Sequence, residues 1–192
     1  MRDEKNKSGL ILWRFNQKNK KIEYFLGKSC DVLSDTNLWG ILKGGREGDE
    51  TDIENAVRDC REECLYSGFL HGGPLHTKGY PEKRINKSFL NKIKIKKLNT
   101  FYFNYFNISV FYAQDVRSFN EQEKWYYRSN EFKMNDKYYP EITEWKYWEL
   151  DIIRPYIGKK QNVILSSLDR KLQNQLNDIN INPAFNYIEI HF

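Results

Sequence analysis

Asp59, Glu62 and Glu63 stand at i, i+3 and i+4, so on a helix all three carboxylates share one face. Like charges at that spacing repel by roughly 0.2–0.5 kcal/mol per pair. Arg58 offsets part of this through its i, i+4 relation to Glu62, but one arginine does not neutralise three acids. Oxygen-only ligands on a rigid element suit a hard cation, Mg2+ or Mn2+, whose other ligands are waters and a substrate phosphate. The alternative for any such trio is a solvated, charge-rich helix face.

The helix that must carry these acids has a readable start. Thr51 with Glu54 three residues on is a capping box, in which each side chain satisfies an orphan backbone N–H of the first turn. Losing such a cap costs about 1 kcal/mol. Ile53, Ala56, Val57, Cys60 and Cys64 recur at helical spacing and form one apolar stripe. Upstream, the pair Gly44-Gly45 ends the apolar run Leu38-Trp39-Gly40-Ile41-Leu42, and a short acidic loop leads to the cap.

Gly44 is followed by five residues and Glu50; seven more lead to Arg58, then Asp59, Cys60, Arg61, Glu62 and Glu63. The stretch resembles the Nudix box, in which a glycine, a glutamate, an arginine and a final Glu-Glu pair keep this register. Two positions depart. Asp59 stands for a glutamate, and Leu65 stands where the box has the glycine that ends the helix. The segments Ser8–Phe15, Ile22–Gly27 and Leu38–Gly45 are similar to the opening of many Nudix domains, with Leu42 in place of a common proline before Lys43.

The resemblance implies an α/β Nudix fold, an α/β/α sandwich around a mixed β-sheet, and hydrolysis of a nucleoside diphosphate linked to some moiety X. It implies Mg2+ or Mn2+ held by Asp59, Glu62 and Glu63 with a carbonyl of the glycine turn, from Lys43 or Gly44. Glu50 and Arg58 would pair to hold the loop against the helix. Lys43 and the N–H groups of the turn, Gly45 included, would meet phosphate oxygens. Glu62, Glu63 or a loop glutamate would take the proton of the attacking water. Pro140–Ile157 resembles the closing strand and helix of bacterial-type Nudix NTP pyrophosphohydrolases, and Glu141 or Glu144 on it is a candidate further base or ligand.

Composition bounds the rest. A chain of 192 residues fits one domain over residues 1–192 with a real core. Hydrophobic content of 40% and aromatic content of 16% argue against a disordered chain. A net charge of +5 fits a polyanionic ligand without demanding one. Three cysteines make neither a disulfide framework nor a zinc spacing, and they read as core residues in a reducing, cytoplasmic setting. Polar Met1–Lys7 is no signal peptide, and no apolar run is long enough to span a membrane. Oligomeric state is not legible.

Along the chain, Ser8–Phe15 and Ile22–Gly27 read as a hairpin around the polar turn Asn16–Lys21. Cys30–Asn37 is a loop, and Leu38–Leu42 a short strand. Phe69–Gly79 carries turn signals together with His71 and His76, which have no second ligand cluster nearby in sequence. Lys83–Lys97 is rich in Lys and Arg and holds no acid. It is either a lysine-guarded strand edge or an electrostatic track for a polyphosphate or RNA. Leu98–Asp115 gives one long or two short strands; among Tyr102, Phe103, Tyr105 and Phe106, one or two are placed to stack on a base.

Phe119–Tyr138 reads as a loop or peripheral insertion. In Pro140–Ile157, Trp145 and Trp148 pack and Asp151 caps a helix Ile152–Ile157. Ser166–Ile179 is an amphipathic helix with Leu165, Leu168, Leu172 and Leu176 on one side, and Phe185–Phe192 is a strand-like tail.

The substrate classes that follow are NTPs, dinucleoside polyphosphates or nucleotide sugars. An mRNA-decapping enzyme, favoured by Lys83–Lys97, and a diphosphoinositol polyphosphate phosphohydrolase are the alternatives. A non-catalytic nucleotide- or RNA-binding module is the reading from another class, given Asp59 and Leu65. Magnesium-dependent release of phosphate-bearing products separates the enzyme from the binder.

Overall fold

The run Gly9-Leu10-Ile11-Leu12-Trp13 holds no polar side chain, the pattern of a strand covered on both faces. In the computed structural model it is the middle of the central strand β1 (Lys7–Asn16). The structure describes residues 7–30, 38–63, 65–66, 99–103, 108–115, 127–128 and 131–181. β1 turns at residues 17–20 into β2 (Lys21–Ser29), its antiparallel partner from Trp13↔Tyr24 to Asn16↔Lys21.

Beyond that stretch the two strands part, and the chain re-enters between them. β3 (Trp39–Gly40) pairs with β2, and β4 (Leu42–Gly45) pairs with β1 from Leu10↔Leu42 to Lys7↔Gly45. The single strand expected over Leu38–Leu42 is therefore two, because the chain changes partner at Ile41. There the main-chain N–H leaves the ladder and donates to Gln161 Oε1 at 2.6 Å. Gly27 makes room at this fork: a side chain on it would press into Leu42 and Ile142.

After the helix α1 (Asp52–Glu63) and the short β5 (Leu65–Tyr66), the aromatic stretch resolves into two strands. These are β6 (Asn99–Phe103) and β7 (Ile108–Gln114), an antiparallel pair. β7 lies parallel to β1, so the sheet is mixed. β8 (Tyr127–Arg128) pairs with β5, and β9 (Glu131–Met134) forms a hairpin with β10 (Lys137–Pro140). The described part of the expected loop Phe119–Tyr138 is thus partly strand. Its signal is Asn135-Asp136, both at positive φ (49° and 61°), the two-residue turn suited to a tight hairpin. β11 (Ile142–Glu149) completes the order β11-β2-β1-β7-β6.

Each face of the sheet has its own core. Leu10, Leu12, Phe25, Leu42, Phe111 and Ala113 meet Ala56 and Cys60 of α1. Ile11, Trp13, Tyr24, Leu26, Val110 and Tyr112 meet Ile164, Leu165, Leu168 and Leu172 of the last helix, α3 (Lys159–Ile181), with Leu176 at its margin. Helices on both faces of a mixed sheet make the expected α/β/α sandwich.

The closing helix differs from expectation. α2 runs over Leu150–Ile153 and passes into a 3-10 turn, Arg154–Tyr156; Glu149 stands at its N-cap and Asp151 lies inside the first turn. The helix begins two residues earlier than expected, directly from the end of β11, which puts Asp151 inside the first turn, where it accepts from Arg154 Nε at 3.3 Å.

Expectations for Phe69–Gly79 with His71 and His76, for Lys83–Lys97, for Tyr105 and Phe106, and for Phe185–Phe192 lie outside the described residues. Among the described residues no helix is long and apolar enough to cross a membrane.

Candidate active site

The box helix is pinned before it carries anything. Thr51 N–H donates to Glu54 Oε2 at 2.8 Å and Glu54 N–H returns to Thr51 Oγ1 at 3.4 Å, the reciprocal cap expected. Ser109 Oγ donates to Asp52 Oδ2 at 2.5 Å, tying the first turn to β7. Ala56 and Cys60 are fully buried against the sheet. With that stripe fixed, the positions at i, i+4 and i+8 beside it, Asn55, Asp59 and Glu63, fall on the flank next to β4.

Asp59 packs on the glycine pair at the end of β4, which is strand and not the turn expected from the sequence. A side chain at Gly44 would overlap the Asp59 carboxylate, so only glycine permits this approach. Asp59 is buried, and its Oδ1 accepts from Arg58 Nη1 at 3.1 Å. Arg58 is the hub. Its Nε and Nη2 meet Glu50 Oε2 and Oε1 at 3.0 and 2.8 Å, and Nη2 also reaches Gly45 O and Asn55 Oδ1, each at 3.0 Å. Asn55, itself buried, donates from Nδ2 to Gly44 O at 3.3 Å. Loop, glycine pair and helix are thereby joined through one guanidinium. The hydrogen bonds from Arg58 hold the Glu50 carboxyl below the usual glutamate range.

Glu63 closes the site. Lys43 N–H donates to its Oε2 at 2.8 Å, and Trp145 Nε1 donates to its main-chain oxygen at 2.7 Å. Desolvation pushes the Glu63 carboxyl up to about 8 against the pull of Lys43, and Glu141 and Asp59 add to the rise. The Lys43 ammonium is pushed down by burial, pulled back by Glu63 and Asp59, and pushed down again by Lys7.

Of the residues singled out in the sequence, Lys43, Gly44, Gly45, Glu50, Arg58, Asp59 and Glu63 come together here. The side chain of Glu62 lies outside the described residues. Glu141 is close enough to Glu63 to repel its charge. Glu144 is not in the site, contrary to expectation. It alternates to the other face of β11 from Trp145, and its Oε1 pairs with Lys28 Nζ at 2.9 Å.

Two participants escape the sequence reading. Asn55 carries no motif signal, although its i−4 relation to Asp59 places it on the same flank. Trp145 was expected to pack, and nothing in its spacing marked its indole N–H as a partner of the helix end.

The described oxygen donors are the carboxylates of Asp59 and Glu63 and the carbonyl of Gly44. An oxygen-only set beside a glycine that leaves no room for a side chain suits a hard divalent cation by donor type. Among the described residues alone, no three His, Cys, Asp or Glu form a metal cluster.

No family model matches this sequence, and no curated protein matches it either. Solved structures do resemble it. A protein described as a Nudix hydrolase from Listeria monocytogenes aligns over 88% of this chain and 94% of its own, at 12% identity and a TM-score of 0.52. The Nudix hydrolase RenU from M. smegmatis aligns over 89% and 87%, at 11% identity and a TM-score of 0.50. The likeness at these identities is one of architecture: the chain has the Nudix fold.

Proposed function

We propose that this chain, a Nudix fold with a box-like helix packed on its glycine pair, hydrolyses a pyrophosphate linkage in a nucleoside diphosphate derivative with a divalent metal ion. The observation that carries the reading is the contact of Asp59 with Gly44, braced by Arg58, Asn55 and Glu50. A merely solvated acidic face would have no reason to bury one of its carboxylates against a glycine.

The chemistry follows from the groups present. A pyrophosphate is anionic and a poor electrophile, so attack by water needs its charge masked. Asp59, Glu62, Glu63 and the Gly44 carbonyl would hold a divalent ion, which would supply that masking and lower the pKa of a bound water. The Lys43 ammonium and the Gly45 amide are assigned to phosphate oxygens. Glu63, once ionised beside a cation, or Glu141, whose charge is felt by Glu63, is assigned the proton of the attacking water. Arg58 and Glu50 are occupied with each other, which assigns them to bracing the loop.

The test is a panel of NTPs, dinucleoside polyphosphates, nucleotide sugars, diphosphoinositol polyphosphates and capped RNA, each with Mg2+ or Mn2+, followed by phosphorus NMR of the products. Turnover that requires metal supports the hydrolase. Binding of panel members without turnover of any would replace it with a nucleotide-binding module. Capped RNA is included because Lys83–Lys97 carries the charge for an RNA body. If it is the substrate, affinity falls steeply with salt.

A further inference from the structure

An α-helix leaves its last carbonyls without partners inside the helix. In the box pattern the glycine two residues after the final glutamate supports a left-handed exit, in which main-chain N–H groups fold back onto those carbonyls. This chain has Leu65 there, and Leu65–Tyr66 forms β5, paired with Tyr127–Arg128. With no glycine at that position, the carbonyl of the last helical residue takes a partner from another strand. Trp145 supplies the partner: its indole N–H donates to the Glu63 carbonyl at 2.7 Å from 82 residues away in sequence. Trp145 stands on β11 and packs against the core under α1, so its ring is fixed by the sheet.

We infer that Trp145 is a positioning residue for Glu63. β11 holds the main chain of the last helical residue while β4, through the Lys43 amide, holds its carboxylate. The carboxylate's direction is then set by two strands of the sheet in place of a glycine-capped helix end. The inference rests on the reading of Glu63 as a metal-facing acid. It departs from the family pattern, in which the helix end is closed by its own backbone.

The decisive substitution is Trp145→Phe, which keeps most of the ring and removes the donor. Trp148→Phe is the control, because Trp148 lies on the same strand but packs edge-on against Trp39 on the opposite face, at 5.3 Å. Mg2+ affinity, measured by calorimetry with the metal alone, is expected to fall about tenfold in Trp145→Phe, the scale of losing an outer support of a metal ligand. Trp148→Phe is expected to leave it unchanged.

A second measurement needs no variant: heteronuclear NMR of the indole N–H groups in the intact chain. The Trp145 signal should be protected from exchange without metal and should move on Mg2+ titration. Equal Mg2+ affinity in Trp145→Phe and the parent, or a rapidly exchanging Trp145 indole that ignores the metal, overturns the inference while leaving the hydrolase reading in place. A parent chain that binds no Mg2+ and turns over nothing overturns both.

Discussion

Arg58 grips Glu50 with two parallel hydrogen bonds, Nε to Oε2 at 3.0 Å and Nη2 to Oε1 at 2.8 Å, across the loop that separates the glycine pair from the helix. Both side chains are mostly shielded from water, 16% and 15% exposed. Lysine cannot reproduce the fork. Arg58→Lys is therefore expected to lower both stability and turnover, the first by about 1–3 kcal/mol because Glu50 and Gly45 O lose hydrogen bonds that a single ammonium cannot replace together. Urea unfolding read by circular dichroism, beside an activity assay, measures the two losses; an unchanged urea midpoint would refute the bracing role.

The same pair gives an acid signature. Arg58 holds the Glu50 carboxyl below its unfolded value of about 4.3. The stability from this pair is fully present above that value and is lost as pH falls through the lower folded value. Glu50→Gln should flatten this part of the profile. Urea midpoints from about pH 7 down to about pH 3 for the parent and the variant give the comparison.

Glu63 has the opposite sign. Its carboxyl is raised to about 8, so the protonated form fits the metal-free fold. Its contribution to stability is complete below the unfolded glutamate value and declines as pH rises toward about 8. A cation that takes the ionised form displaces the proton. Apparent Mg2+ affinity should thus climb as pH rises toward about 8 and level above it, with proton release detectable by calorimetry in buffers of different ionisation enthalpy. A pH-independent affinity across that window would remove Glu63 from the ligand set.

Gly44→Ala puts a methyl group into the Asp59 carboxylate. The expected cost is about 1–3 kcal/mol of stability, as for other overpacked sites. Metal-dependent turnover should fall at least about tenfold as the acid is displaced. Full activity in this variant would show that the contact has no catalytic use.

Tyr24→Phe tests the opposite face. The buried Tyr24 hydroxyl donates to Asp169 Oδ1 at 2.7 Å and joins β2 to α3. Losing it should cost about 1–2 kcal/mol. Steady-state turnover at a temperature where both proteins are folded should not change.

The parts of the site legible in the sequence are those fixed by spacing along one helix or one turn. Thr51 and Glu54, the stripe through Ala56 and Cys60, and the register from Gly44 to Glu63 are all local patterns. What spacing does not encode are meetings across the sheet. Trp145 reaches Glu63 from β11, Gln161 takes the Ile41 amide from α3, and Glu144 turns away because alternation on β11 sends it to Lys28. The partner change at Ile41 was hidden for a related reason: an uninterrupted apolar run reads the same whether it lies in one ladder or passes between two. Asp151 was misplaced because the end of β11 depends on how far β2 extends beside it.

The fork between β1 and β2 has one more bearing on the chemistry. The glycines that meet Asp59 and Arg58 look like a supple tip in the sequence, yet Gly44 and Gly45 lie opposite Ser8 and Lys7 as rungs of the central ladder. Their positions are accordingly governed by the stiffness of the whole β-scaffold. Substrates therefore meet Gly44 and Gly45 in positions set in advance by the ladder.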